Sequence, residues 1–264
     1  MMGPVLEQLY EAFADFEEAF YAALDESLDP RGPEVLFELV ERMRLPAGSR
    51  AVDVGCGEGR HSLELARRFG FDVLGIDPVP RQIEVARASG ESGVRFEVGA
   101  AEELPLAEAS VDLVWCRDVL VHVADLERAY AEFRRVLRPG GRALIYQPFA
   151  GPRLEPREAA ELWQATGAVP ASADRERAEA AIAVAGFQVD ETIDLREWGE
   201  WAEETSGKGG RRLLYTSRLL RDPQRYVERF GQAAYETILA DCLWHVYGMI
   251  GKLDRRAYVL TRPG

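Results

Sequence analysis

The sequence predicts an α/β protein built on a doubly wound, mostly parallel sheet. Three observations carry this expectation. From residue 50 to residue 148, short β-branched or aliphatic runs alternate with helical patterns. A glycine-rich turn, VDVGCGEGR at residues 52–60, joins the first of those runs to the first of those helices. The stretches on either side of this middle region have the apolar period of helices. Strands separated by helical crossovers pair in parallel, and such a sheet is covered on both faces.

In chain order, residues 5–27 and 33–44 read as amphipathic helices, broken at LDPRGP, where Pro30, Gly32 and Pro33 interrupt the pattern. RAVDV is the first strand, followed by a helix near 60–69. DVLGID and a helix near 79–89 follow, then VRFEV, VDLVWC, a helix near 125–137 and the strand GRALIYQP. After Pro148 come helical stretches at about 155–166 and 174–185 and a strand, FQVDETIDL. Residues 196–255 are helical and rich in aromatics, and RAYVLTR is strand-like. The expected organisation is therefore an N-terminal helical segment (1–45), a sheet domain (46–195 with 256–264) and a helical cap (196–255) inserted before the last strand.

Composition excludes several functions. A formal net charge of -13 opposes binding to a phosphate backbone unless basic residues cluster, and Arg134, Arg135 and Arg138, or Arg211 and Arg212, are too few. The longest apolar runs fall short of the roughly 20 residues of a membrane span. The opening MMGPVLEQLYEAF carries acids where a secretory leader would carry bases, so a cytoplasmic location is expected. Cys56, Cys116 and Cys242 form no CxxC pair and have no neighbouring histidine, which indicates reduced thiols and no metal site.

The glycine turn carries the functional signal. In open α/β sheets, ligands bind outside the carboxyl ends of the strands, and the first strand-to-helix turn is the usual place. Glycines there permit positive φ and let a ligand approach main-chain N–H groups. The spacing is GxGxG, with Arg60 where a dinucleotide fingerprint has its third glycine. Asp53 and Glu58 flank the turn, and two carboxylates repel a pyrophosphate but attract an ammonium. The loop therefore suits a cofactor with positive charge, such as the amino group or sulfonium of S-adenosylmethionine. Asp77, 22 residues after Gly55, stands where an acid accepts both ribose hydroxyls. The alternative reading is that it caps the helix beginning near Val79.

VDVGCGEGR, VLGIDPVPRQIEVAR, VRFEVGAAEELPLAEASVDLVWCRDVLVHVAD and AYAEFRRVLRPGGRALIYQP, in that order, resemble the class I S-adenosylmethionine-dependent methyltransferases, and within them the ubiquinone/menaquinone C-methyltransferase group. The resemblance covers residues 50–148 and implies a Rossmann-like seven-stranded sheet with an antiparallel last strand. It implies that Gly55, Cys56 and Gly57 floor the methionine moiety with Asp53 nearby, and that Asp77 holds the ribose while Pro78 packs on the adenine. Where the family has an acid for the adenine amino group, this chain has Ala100, so that contact passes to Ala101 and Glu102. Cys116 and Arg117 would lie beside the amino group and the methyl. RPGG at 138–141 reads as a turn ending a helix.

Methyl transfer from a sulfonium is a direct displacement, so alignment and exclusion of water dominate and no metal is required. Two histidines are catalytic candidates. His122, after the fourth strand, reads as a packing residue or a proton acceptor; His245, in the cap, as a partnered core residue or as a substrate contact or base. His61, opening the helix after the glycine turn, is not chosen. Asp118 and Asp125 read as helix-end acids. The cap aromatics Trp198, Trp201, Tyr215, Tyr226, Tyr235, Trp244 and Tyr247 suit a lid over a partly apolar small molecule, which Tyr10, Phe13, Phe16 and Tyr21 would also approach. The expected partners are a small-molecule methyl acceptor and a second copy of the chain, with O- or N-methylation as the reaction. The alternatives are a protein of the same fold that binds the cofactor without transferring its methyl, and a nicotinamide-dependent dehydrogenase.

Overall fold

The computed structural model describes residues 19–27, 31–88 and 93–264. Internal contacts divide the chain into residues 1–30 and 31–264. In the first unit, residues 19–24 are helical, within the span where the first helix is expected. Tyr10, Phe13 and Phe16 lie outside the described residues.

The second unit runs α1 (Glu34–Arg42), β1 (Arg50–Val54), α2 (Arg60–Phe69), β2 (Asp72–Asp77), α3 (Pro80–Arg87), β3 (Val94–Val98), β4 (Val111–Arg117) and a 3-10 turn (Leu120–His122). It continues with α4 (Leu126–Val136), β5 (Leu137–Ala150), α5 (Pro156–Thr166), α6 (Arg175–Val184) and β6 (Gln188–Asp194). The cap helices follow as α7 (Trp198–Ser206), α8 (Lys208–Arg221), α9 (Pro223–Phe230) and α10 (Gln232–Met249), and β7 (Leu253–Thr261) closes the sheet.

The strand order is β3-β2-β1-β4-β5-β7-β6. The first five strands are mutually parallel, and β7 runs antiparallel to both β5 and β6. Because the chain moves outward from β1 through β2 to β3 and then returns to place β4 on the other side of β1, the carboxyl ends of β1 and β4 border the crevice where such sheets take ligands.

Side-chain alternation divides the core between the two faces. Val52, Val54, Val114, Cys116, Ala143 and Ile145 pack under α4 and α6. Ala51, Leu113, Trp115, Leu144 and Tyr146 pack under α1 and α2, with Phe37 stacked on Trp115 at 5.1 Å between ring centroids. Helix α1, expected in a separate N-terminal segment, is thus part of the sheet's own core. Helix α5 in turn packs with α10, with Trp163 edge-on to Trp244 at 5.9 Å, so it forms an inner layer of the cap.

Two local expectations need correction. RPGG does not end a helix: α4 closes at Val136, and residues 138–141 already belong to β5, beside a register shift opposite β4. Gly140, at φ +78°, donates its N–H to Arg262 O, which makes the turn part of the pairing with β7. The last strand also begins earlier than RAYVLTR, since Leu253 and Asp254 already pair with Ala150 and Phe149.

Candidate active site

The glycine turn leaves β1 with Gly55 at φ +74° and Gly57 at φ +53°. Their requirements differ. A Cβ at Gly55 would fall 2.0 Å from Val119 Cγ2, so this position is bare because the chain after β4 passes over it. A Cβ at Gly57 would meet nothing within 4 Å, so no protein atom needs that position bare. The Gly55 and Cys56 N–H groups are both taken by Ile76 O, at 2.7 and 3.0 Å, whereas the Gly57 N–H donates to Asp77 Oδ2 at 2.9 Å. Cys56 contributes main chain only, because its side chain is buried against Ile83, Ala86 and Phe96 and burial pushes its thiol well above the usual range.

Asp77 ends β2 and points across to this turn. Its second oxygen, Oδ1, accepts from Val79 N–H at 2.9 Å; Val79 is itself the N-cap of α3 and has no side-chain cap, so Asp77 braces the turn before the helix and does not cap it as the sequence suggests. An ionised carboxylate offers about four acceptor sites, and two remain. Pro78 is exposed beside it, and Val79 and Val98, the latter in register with Asp77, are each 49% exposed, giving the strand ends an apolar flank. Ala101 is buried and Glu102 half-buried in a tight turn closed by Glu103 N–H on Ala100 O at 3.2 Å.

Asp53 lies on the α2 face of β1, buried, and accepts from Ser62 Oγ at 2.6 Å. Burial pushes its carboxyl up to about 7 against the pull of the Ser62 hydrogen bond, and neighbouring Asp77 adds to the rise. Cys116 faces the opposite core and is 1% exposed, so it too offers only backbone. Arg117, one residue on, shares the face of Asp53 and reaches His61: Nη1 donates to Nε2 at 2.5 Å. Because a guanidinium only donates, His61 is the neutral tautomer with its proton on Nδ1. Burial first, then Arg117 and Arg60, hold that imidazole down at about 4. The guanidinium also sits 5.8 Å from the Tyr146 ring centroid and 5.5 Å from that of Trp198.

Beyond Arg117 a cavity of about 260 Å³ opens between the ends of β4 and β5 and the cap. Tyr146, Trp198, Trp201 and Trp244 form its aromatic walls, and Arg117, Lys208, Arg212 and Arg255 bring charge to it. His245 lines it; His122 does not, being exposed on the 3-10 turn with Nδ1 3.2 Å from Gly167 O. The two histidines therefore do not converge. His245 Nε2 lies 3.8 Å from Asp241 Oδ1, and burial and Arg212 lower its basicity below the usual histidine range. Asp118 is no helix cap: it occupies φ +59°, lines the cavity and lies 3.5 Å from Arg117 Nε, whereas Asp125 does cap α4 through Arg128 N–H. Of the other cap aromatics, Tyr215, Tyr226 and Tyr235 line a separate apolar hollow with Phe230, and Tyr247 packs against Lys252. Among the described residues, no group of three or more His, Cys, Asp or Glu side chains is arranged to hold a metal ion, and no helix is long and apolar enough to cross a membrane.

A seven-stranded sheet of this order, with a glycine turn and an acid at the carboxyl ends of β1 and β2, defines the class I S-adenosylmethionine-dependent methyltransferase fold. Comparison with known proteins agrees. The family described as "Methyltransferase domain" matches residues 52–145. Methyltransferase GfsG of Streptomyces halstedii is 37% identical over 147 residues, 53% of this chain and 53% of that protein. The O-methyltransferase rstn1 of Aspergillus nomiae is 32% identical over 165 residues, 61% of this chain and 73% of its own length. The solved structure of phosphoethanolamine N-methyltransferase 2 of Haemonchus contortus shares the fold, with a TM-score of 0.68 at 21% identity, over 90% of this chain and 54% of that one. The chain belongs to the S-adenosylmethionine-dependent methyltransferases, and S-adenosylmethionine is the cofactor of that family.

Proposed function

We propose that the chain transfers the methyl group of S-adenosylmethionine to an oxygen or nitrogen of a small, partly aromatic molecule held beneath the cap. The observation that carries this reading is one continuous arrangement: a cofactor cradle at β1 and β2, Arg117 at the end of β4, and an aromatic-walled cavity directly beyond it. The space at Gly57 and the two remaining acceptor positions of Asp77 fit the cofactor's nucleoside. Bound there, the cofactor supplies an electrophilic methyl on a sulfonium. The chain does the rest: the Gly55–Gly57 main chain supports the methionine moiety, Asp77 orders the ribose, Pro78 and Val79 flank the adenine, and Ala101 and Glu102 border its edge. Arg117 and the main chain of Cys116 stand at the junction where cradle opens into cavity. His245, uncharged at neutral pH and open to the cavity, takes the acceptor's proton. The position of His122 supports a role in holding the 3-10 turn to Gly167.

Calorimetry with S-adenosylhomocysteine and NAD tests the cradle: micromolar binding of the first with none of the second is expected, and the reverse rejects the reading. The His245→Gln variant is expected to keep its S-adenosylhomocysteine affinity and to lose about 10²-fold or more in turnover on a hydroxyl acceptor, as for removal of a general base. Unchanged turnover would leave proton removal to the solvent.

Asp53 gives the binding a pH dependence. Folded, its carboxyl titrates near 7, whereas an ordinary aspartate titrates near 4. Between those values the folded chain holds the extra proton, so this group's contribution to stability falls as pH rises from about 4 to 7. A cationic amino group beside Asp53 needs the ionised form, so cofactor affinity is expected to rise across pH 6–8 with release of a proton. Calorimetry in buffers of different ionisation enthalpy measures that proton; equal heats in all buffers at pH 6.5 would remove Asp53 from the contact.

The net charge of -13 supports a small-molecule acceptor over nucleic acid. The buried free thiols support a reducing compartment such as the cytoplasm. Exposed Leu213, Leu214, Leu220, Phe230 and Ile238 on α8–α10 support a homodimer, which sedimentation at micromolar concentration decides.

A further inference from the structure

Resting on that function, we propose that the methyl acceptor carries an oxyanion, a carboxylate or a phosphate, and that Arg255 is the residue that binds it. Arg255 is 6% exposed and lines the cavity; its main-chain carbonyl accepts from Leu195 N–H, but its guanidinium makes no hydrogen bond or ion pair among the described residues, and the charge that acts on it there is Asp118, which Arg117 shares. Removing a charge from water without a hydrogen-bonded partner is costly, and one carboxylate shared with Arg117 does not satisfy five N–H donors, so this buried guanidinium marks a place for a further anion. The packing around it is built for that side chain. A Cβ at Gly248 on α10 would lie 1.8 Å from Arg255 Nη2, so the missing side chain there is the slot through which the guanidinium passes.

Position separates this arginine from the cofactor. Arg255 lies on β7 opposite Pro148, three strand spacings from β1, roughly 14 Å across the sheet at about 4.8 Å each. Its guanidinium lies against the cap, away from the glycine turn. Around the same cavity, Lys208 also has no ion-pair partner among the described residues, whereas Arg212 is paired with Asp241 and Arg117 stands beside Asp118. Four permanent cations thus face one lining carboxylate, in a chain whose overall charge is strongly negative. Guanidinium donors match a carboxylate or phosphate in bidentate geometry, while the tryptophan walls take the apolar remainder of the molecule.

Trp198, Trp201 and Trp244 make the cavity its own fluorescence reporter. Protein saturated with S-adenosylhomocysteine is titrated with phenylacetate, phenyl phosphate and the neutral phenylacetamide. At least one anion is expected to bind tenfold or more tightly than the amide, and the tighter of the two identifies the oxyanion. Arg255→Met is expected to bring that ratio within twofold, and Arg255→Lys to retain part of it. Lys208→Ala, at an exposed position, is expected to lower the ratio about threefold even if Arg255→Met proves unstable. Equal binding of anions and amide, no binding of any probe, or an undiminished ratio in a folded Arg255→Met protein would overturn the proposal. Failure of S-adenosylhomocysteine to bind the unaltered protein would instead overturn the methyltransferase reading.

Discussion

Gly55→Ala is expected to destabilise the protein by about 3 kcal/mol or more, lowering its melting temperature by about 6–12 °C at the roughly 2–4 °C per kcal/mol of a domain this size. Two costs add. An L-residue at φ +74° pays about 1–2 kcal/mol for its Cβ, and overpacking typically costs about 1–3 kcal/mol more. The clash is not relieved by a rotamer change, because Val119 Cγ2, Cβ and Cγ1 all lie within 2.9 Å of the new methyl. Adding Val119→Ala should recover the steric part and leave the backbone part. Gly57→Ala is the contrasting case. With nothing within 4 Å of its Cβ, it should cost only about 1–2 kcal/mol in stability. Its S-adenosylhomocysteine affinity should nevertheless fall more than tenfold, because the methyl occupies the cradle. Thermal melts beside calorimetry on the two variants check both halves. Equal affinity in Gly57→Ala and the unaltered protein would show that the cofactor does not press on this turn.

The contrast shows what the sequence makes legible. GxGxG reads as a bare turn, but the sequence does not say which glycine is bare for a ligand and which for the fold, because Val119 is 64 residues away and arrives only through β4. Most strands from β1 to β5 are legible as apolar runs next to helix signals, whereas β3 (VRFEV) and β4 follow one another across a turn, and the positions of Asp53 and Asp77 follow from the strand ends. The RPGG turn misled because a left-handed glycine after a helix looks the same in sequence whether it ends the helix or kinks a strand. Cys116 and Arg117 are neighbours in sequence, yet alternation along β4 sends them to opposite faces. That signal was present, in the apolar Val114 and Cys116 against Trp115 and Arg117. The cavity was the least legible part. Nothing in the sequence singles out Lys208, Arg212 or Arg255 as a group, and only the return of β7 beneath the cap helices brings them around one space.

Asp77 should show the largest effect on cofactor binding, and its substitution separates the cofactor's two ends. Asp77→Ala leaves the Gly57 and Val79 N–H groups without their acceptor and removes the ribose contact. Hydrogen bonds to a charged group are worth about 1.5–3 kcal/mol each. An affinity loss of about 10²–10⁴-fold follows when two such contacts to the ribose are lost, at 1.4 kcal/mol per decade. Asp77→Asn should fall between, because its carbonyl oxygen still accepts one N–H while its amide nitrogen opposes the other. The informative comparison uses two ligands: S-adenosylhomocysteine, which has both the nucleoside and the amino-acid ends, and 5′-methylthioadenosine, which lacks the amino acid. Asp77→Ala should weaken both by a similar factor, since both carry the ribose. Asp53→Asn should weaken only the first, since only it places an ammonium beside β1. If Asp77→Ala spares methylthioadenosine, the carboxylate serves the turn and α3 alone, and the ribose lies elsewhere. If Asp53→Asn weakens both ligands alike, Asp53 acts through Ser62 and the packing of α2 and not through a charge contact.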